Sequence, residues 1–264
     1  RYFKRTTFGL LYVFDKFSNS LLLACINPII CLCSILIQFS LLLRNIIHLS
    51  FYNGAKIITY PPKLNRAKDK VLQQIWAKEV GFSLPDQLIT SSNNAFKNYF
   101  EGVENIISKS IDSIEAIRDD KKNKDYNLFA NSIDENLRSQ IESDLVKVNI
   151  SYFQRKIKRD YELRVIAFGD YVYPFKIKMD NYDVDWRRID PDSIKFELLN
   201  NESVIEKCRL FLKKAELKYG AFDLIVDEQG EVFFIECNPN GQFLFCDINQ
   251  NTSMVSDFVK YIYE

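Results

Sequence analysis

Two apolar runs near the C-terminus, Ala221–Asp227 and Glu231–Cys237, flank Gln229-Gly230. Apolar, strand-forming runs separated by a glycine-bearing turn specify an antiparallel hairpin, and this one carries acids. With Gln229-Gly230 as a two-residue loop, Glu228 pairs with Glu231 and Asp223 falls opposite Glu236. Directly opposed residues share one face of a sheet, their Cβ atoms roughly 4.5–5.5 Å apart. Asn238 projects on the face of Glu236, two residues on. The plain alternative is a set of acids facing solvent. Phe222, Leu224, Val226, Phe233, Phe234 and Ile235 make the strands too apolar for that, and buried acids need partners. The favoured reading is a cation held by Asp223, Glu236 and Asn238. An all-oxygen set suits Mg²⁺, which completes its shell with phosphate oxygens and water. A bulge at Gly230 would shift the pairing by one residue.

Scarcities exclude much else. The eight glycines are never closer than ten residues apart, so neither a G-x-G-x-x-G fingerprint nor a Walker A loop is present. One histidine, His48, excludes His-dependent triads and multi-His zinc sites; set among Ile46, Ile47 and Leu49, it reads as a core or helix-edge residue. Lys+Arg and Asp+Glu both number 35, a balance that argues against a nucleic-acid partner. The 264 residues suffice for one large domain or two to three small lobes. Six cysteines without a C-x-x-C pair point to free thiols in a reducing, cytoplasmic compartment. The chain opens at Arg1, as a fragment or processed protein would.

Phe17 to Leu43 carries no charge and is long enough to span a bilayer. Asn27-Pro28 and the scattered Ser18, Ser20, Ser34, Gln38 and Ser40 favour a buried core segment instead. Beyond it, Ala55–Tyr60 reads as a strand ended by Pro61-Pro62. A helix capped by Asn65 follows, with Ala67, Val71, Ile75 and Val80 at helical spacing. Gln87–Thr90 is extended, Ala95–Glu101 a weak helix and Val103–Lys109 a strand. The charged stretch 118–127 reads as a solvated loop, a candidate lid or linker. Asp134–Lys147 is helical and Ile150–Gln154 a strand. Glu162–Phe168 and Tyr171–Lys178 form a hairpin about Gly169-Asp170. Glu202–Leu217 is an amphipathic helix, and Ser253–Tyr263 closes the chain. Helices flanking antiparallel strands make the fold class α+β.

A phosphate site without a glycine loop must recruit basic side chains, and Lys70, Lys109, Arg164 and Arg187 are the candidates. The basic run from Arg155 to Arg159 serves equally as a guide for an acidic peptide or as a charged strand edge.

These residues also carry a resemblance. Asn238-Pro239-Asn240-Gly241-Gln242 after Glu236, preceded by Tyr219-Gly220-Ala221-Phe222-Asp223, resembles the metal-binding end of an ATP-grasp ligase. Glu162-Leu163-Arg164-Val165 and Val184-Asp185-Trp186-Arg187-Arg188 narrow the resemblance to the graspetide (microviridin-type) peptide macrocyclases and related maturases of ribosomal peptides. Upstream, Asn65-Arg66-Ala67-Lys68-Asp69-Lys70, Gln73, Ala77, Gly81-Phe82, Pro85 and Leu88-Ile89-Thr90 are similar to the same family. The resemblance runs from about residue 53 to the end.

It implies an ATP-grasp fold of two α+β lobes clasping ATP, residues 65–155 and 156–264, after a shortened N-terminal region, 1–64. It further implies Mg²⁺ on Asp223, Glu236 and Asn238, with Lys70 and Lys109 on the ATP phosphates. Gln154, Arg155, Lys156 and Ile157 would line the adenine pocket, although the family usually has an acidic and an aromatic residue where Arg155 and Lys156 stand. Arg164 and Arg187 would meet the phosphates and the developing acyl phosphate. The activity implied is ATP-dependent activation of a side-chain carboxylate and its capture by a hydroxyl or amine within a precursor peptide. Phosphoryl transfer needs stabilised charge and no His or Cys nucleophile. Two other readings stand: a carboxylate–amine ligase adding free amino acids, and a truncated, non-catalytic nucleotide- or peptide-binding module. The expected partner is a precursor peptide with an acidic core, and a homodimer is compatible with this reading.

Overall fold

The structure is a computed structural model describing residues 39, 41–50, 52–54, 58–109, 111, 116–119, 124–127, 130–143, 150–178, 194–247, 250 and 252–263. The chain divides into two compact units, Arg1–Ile57 and Ile58–Glu264. In the first, residues 41–50 are helical and His48 is half-buried. Most of the uncharged stretch 17–43 lies outside the described residues. Among those described, no helix is long and apolar enough to cross a membrane.

The second unit is α+β. It opens with helix α1 (Pro61–Ala67), whose prolines occupy the first turn. The proline N–H is missing where no helical partner exists for it, so Pro61-Pro62 starts a helix instead of ending a strand. Residues 58–60 are accordingly not extended into a strand, and 55–57 lie outside the described residues. Helix α2 (Lys70–Glu79) follows after a break, because the Asp69 carboxylate caps it by accepting from the N–H groups of Val71 and Leu72 at 2.9 and 3.0 Å. The expected single helix capped by Asn65 is therefore two helices. Asn65 lies inside the first, and Lys70 opens the second.

A first antiparallel sheet has the order β1-β6-β2-β5, from β1 (Gln87–Thr90), β2 (Ile106–Lys109), β5 (Asn131–Ile133) and β6 (Ser151–Arg155). Helices α3 (Asn93–Tyr99) and α4 (Glu135–Ser143) supply its core partners: Phe96, Phe100 and Ile141 cluster with Ile106, Ile133 and Phe153. Strands β3 (Ala116–Asp119) and β4 (Lys124–Asn127) pair as a separate hairpin. The charged stretch 118–127 thus contributes strand at both ends where a loop was expected; 120–123 lie outside the described residues.

The second sheet, order β11-β10-β7-β8-β9, comprises β7 (Arg159–Phe168), β8 (Tyr171–Lys178), β9 (Lys195–Leu198), β10 (Tyr219–Asp227) and β11 (Val232–Asn238). Both expected hairpins are present. On one face Leu163, Val165, Phe222, Leu224 and Phe234 pack with Trp76 and Ala77 of α2 and with Val204, Cys208, Phe211 and Leu212 of α5 (Glu202–Ala215). At one end of the other face, Ile166, Phe168 and Ala221 pack with Cys246 of α6 (Leu244–Asp247) and Met254 of α7 (Met254–Tyr263). Farther along that face Glu236, Asp223, Arg164 and Glu162 stand beside Phe175, Ile225 and Ile177.

Candidate active site

Asp223 and Glu236 are cross-strand partners, but by a route other than a two-residue loop. Asp227, and not Glu228, faces Glu231: the Asp227 N–H donates to the Glu231 carbonyl at 3.0 Å, and Gly230 adopts φ +82°. Glu228 sits in the turn. That longer loop shifts the register by one through Val226↔Val232 and Leu224↔Phe234. A bulge between Asp223 and Leu224 then absorbs Ile235 and restores the pairing Asp223↔Glu236 and Ala221↔Asn238. The three expected metal ligands consequently share one face. Asn238 is exposed, and its side-chain oxygen accepts from the Asn240 N–H at 2.9 Å.

Arg164 pairs with Asp223 across the next strand boundary, and its Nη1 donates to the Asp223 carboxylate at 2.8 Å. Its Nη2 donates to the Gln242 carbonyl at 3.1 Å. Burial works against this guanidinium, but the Asp223 carboxylate more than compensates and holds its pKa above the ordinary value. Its Nε is buried without a hydrogen-bond partner among the described residues. The Gln242 loop comes so close because residue 241 is glycine: a Cβ there would lie 2.6 Å from Ala221 Cβ and 2.8 Å from Arg164 Nη2. The Tyr219 hydroxyl holds the same loop by donating to the Gly241 carbonyl at 2.5 Å.

Helix α2 meets the edge strand β11 through a residue to which the sequence assigned no role. Gln73, buried in the helix, donates from Nε2 to the Cys237 carbonyl at 2.8 Å and accepts the Cys237 N–H at 2.8 Å. The signal was present: Gln73 and Gln74 fall on the buried face of an amphipathic helix, and buried amides need partners.

On the first sheet Lys109 faces Tyr152, and Ile107 and Gln87 flank Gln154. Tyr152 donates to the Gln87 side-chain oxygen. Burial, with the Glu236 carboxylate adding to it, pushes the Tyr152 phenol up to about 12. Glu236 of the second sheet is thereby electrostatically coupled to the Lys109–Tyr152–Gln154 face of the first. Gln154 is only 1% exposed, and its Nε2 has no hydrogen-bond partner among the described residues. A cleft of about 770 Å³ lies where the two sheets join, lined in part by Pro85, Asn105, Arg155, Lys156, Ile157 and Phe233. That volume falls within the range of small-molecule sites. The main-chain N–H groups of Arg155 and Lys156 already donate to the carbonyls of Asp86 and Asn105, both at 2.8 Å.

The structure thus brings together Asp223, Glu236, Asn238 and Arg164, and sets Lys109 and Gln154 on one face of the first sheet. Lys70 opens α2, one turn before Gln73. Arg187, with the whole Asp185-Trp186-Arg187 motif, lies outside the described residues. Among the described residues no three His, Cys, Asp or Glu side chains gather to hold a metal, so a cation here would rest on two carboxylates, an amide oxygen and non-protein oxygens. Hard oxygen donors on one face fit Mg²⁺. The orphaned Gln154 amide fits a ligand that offers it an acceptor.

Two antiparallel sheets joined at a cleft, with acids on the last hairpin, define the ATP-grasp fold. The RiPP-associated ATP-grasp ligase of Chryseobacterium gregarium, solved with ADP and a leader and core peptide, superposes with a TM-score of 0.72 at 23% identity, over 85% of this chain and 66% of that one. The macrocyclase MdnC of Microcystis aeruginosa, bound with precursor peptide MdnA, gives 0.64 at 20%, over 80% and 63%. D-alanyl-alanine synthetase A of Vibrio cholerae gives 0.56 at 13%, over 83% and 71%. The chain therefore spans about two thirds of the length of the two peptide ligases. No protein-family model and no curated protein sequence matches it.

Proposed function

We propose that this chain is an ATP- and Mg²⁺-dependent ligase that activates a side-chain carboxylate of a ribosomal precursor peptide as an acyl phosphate and joins it to a hydroxyl or amine of the same peptide. The observation that carries the proposal is the cross-strand pair Asp223 and Glu236, with Asn238 on the same face of an ATP-grasp sheet. Residues 65–155 and 156–264 are taken as the two lobes of the clasp. Asp223, Glu236 and Asn238 would hold Mg²⁺, which supplies neutralisation of the triphosphate charge. Lys70 and Lys109 would bind phosphate oxygens, while Gln154 and the chain from Arg155 to Ile157 would receive the base. Arg164, anchored by Asp223 and the Gln242 carbonyl, presents a fixed positive charge that needs no rearrangement as negative charge develops nearby. Arg187 is assigned the same task. The basic run from Arg155 to Arg159 would guide an acidic peptide, which would compete with Asp86, Glu228 and Glu162 for Arg155, Lys158 and Arg159. The buried free thiols Cys208, Cys237 and Cys246 support a reducing cytoplasmic setting.

Glu236→Gln against wild type in an ATP-turnover assay tests the metal site, and equal turnover in both would refute it. The shared fold with D-alanyl-alanine synthetase keeps addition of a free amino acid as a second reading. Product mass separates the two: cyclisation removes one water per bond from the peptide, whereas addition increases its mass. Absence of turnover in the wild-type protein would leave a binding module.

A further inference from the structure

Strand β11 is an edge of its sheet, and an edge strand presents unpaired N–H and C=O groups. At its start Ser83 bonds to it: the Ser83 N–H donates to the Val232 carbonyl at 3.3 Å, and the Ser83 carbonyl accepts from the Phe234 N–H at 2.9 Å. Farther along, at Cys237, no backbone among the described residues takes over. A side chain does, the Gln73 amide, which offers one donor and one acceptor as a neighbouring strand would. Its Nε2 also donates to the Ala67 carbonyl at 2.7 Å, so the amide is anchored at the end of α1 as well.

The position of this clamp matters. The Cys237 N–H belongs to the peptide plane that joins it to Glu236, and the Cys237 carbonyl to the plane that joins it to Asn238. Gripping both fixes the two peptide planes that flank Cys237, whose far ends are the Cα atoms that carry the Glu236 and Asn238 side chains. We infer that Gln73 is a positioning residue that sets the direction of Glu236 and Asn238 towards a shared divalent cation, an inference that rests on the ligase reading. Gln73 touches neither carboxylate and takes no part in proton or phosphoryl transfer. It lies three residues after Lys70, on the same side of α2. One helix therefore carries a phosphate-binding candidate and the grip on the metal strand. Simple edge protection would require only that the Cys237 groups be satisfied; the positioning role further requires that metal affinity depend on the grip.

The test uses the full chain, with Mn²⁺ as the probe and a non-hydrolysable ATP analogue present. Free Mn²⁺ is read by electron paramagnetic resonance, and exchange of the Cys237 amide is followed without ligand. Gln73→Met removes both bonds to Cys237, and the one to Ala67, at nearly constant length. Gln73→Asn keeps the amide but is one carbon too short to reach. Trp76→Phe is the control, loosening the same helix at its contact with Phe211 while leaving the Gln73 amide in place. Both Gln73 variants are expected to speed exchange at Cys237 and weaken Mn²⁺ binding about tenfold or more, in line with other residues that orient metal ligands. Trp76→Phe should leave Mn²⁺ affinity at the wild-type level even where it lowers the melting temperature equally. Wild-type affinity in a folded Gln73 variant with a fast-exchanging Cys237 amide would overturn the positioning role, as would an equal loss in Trp76→Phe. A wild-type protein that binds no Mn²⁺ with the nucleotide analogue would instead overturn the ligase reading, and this inference with it.

Discussion

Asp223 stands directly across from Glu236 because two one-residue shifts cancel: the loop closing at Gly230 displaces the register, and the bulge at Ile235 returns it. The apolar positions between the shifts keep Leu224, Val226 and Phe234 on the core face. A single uncompensated shift would separate the carboxylates or bury them in that core, since a one-residue slip moves every later side chain to the other face.

Two glycines sustain this arrangement for different reasons, and alanine substitution should separate them. At Gly230 no described residue lies within 4 Å of an added Cβ, so Gly230→Ala carries only the strain of a left-handed residue, about 1 kcal/mol. At Gly241 the added Cβ would collide with Ala221 and Arg164. Gly241→Ala should cost about 1–3 kcal/mol of overpacking and displace the Gln242 carbonyl from Arg164. Urea melts give the two costs. A Gly241→Ala midpoint no lower than that of Gly230→Ala would contradict the packing argument.

A buried donor without an acceptor destabilises the ligand-free protein and becomes useful when a ligand arrives. Gln154→Met should therefore stabilise the free chain by about 1–3 kcal/mol, the desolvation cost of one unsatisfied polar group. The same change should weaken ATP binding. Parallel thermal melts with and without nucleotide would show the crossover. A variant that is more stable and binds ATP unchanged would remove Gln154 from the base pocket.

Alkaline pH acts on two tyrosines in one direction. Tyr152 and Tyr173 are both pushed up to about 12, each chiefly by burial, with Glu236 adding for the first and the Asp257 hydrogen bond for the second. A folded-state pKa above the unfolded value of about 10 means their contribution to stability is complete below pH ~10 and is lost as pH rises towards 12. Asp257 runs the opposite way. Hydrogen bonds from Ser253 and Tyr173 hold it below the usual carboxylate range, so its contribution is present above pH ~4 and lost on acidification. Phenolate absorbance during alkaline titration reports the tyrosines. In Glu236→Gln the Tyr152 phenolate should appear at lower pH, with the burial component remaining; no change would deny the coupling between the sheets.

The hairpins, α5 and the closing helix were legible because apolar periodicity and turn glycines agree along short stretches of chain. The break between α1 and α2 was hidden because Asn65 and Asp69 are both good caps; with Pro61-Pro62 starting the first helix, Asn65 falls inside it and Asp69 caps the second. Strands β3 and β4 were missed because pairing on an isolated charged ribbon leaves no apolar alternation to read. In the site, residue types and spacing pointed to Asp223, Glu236 and Asn238. The grip of Gln73, the closeness of Gly241 and the Glu236–Tyr152 coupling arise between segments far apart in the chain, where no local pattern records them.

The ion pair Arg164–Asp223 offers the sharpest energetic test. Their side chains are 7% and 13% exposed, so each charge has given up most of its hydration for the other. Removing one partner leaves an uncompensated buried charge, and Arg164→Met is expected to cost about 3–5 kcal/mol. Asp223→Asn strands Arg164 less severely, since the guanidinium keeps the Gln242 carbonyl and the asparagine oxygen can still accept. The double variant Arg164→Met/Asp223→Asn should then be more stable than the sum of the single losses predicts, by about 1–3 kcal/mol of coupling. Denaturant melts of the four proteins complete the cycle. Strict additivity would show that the pair is screened by water and that Asp223 is open to solvent, contrary to the packing of the Gly241 loop over Arg164.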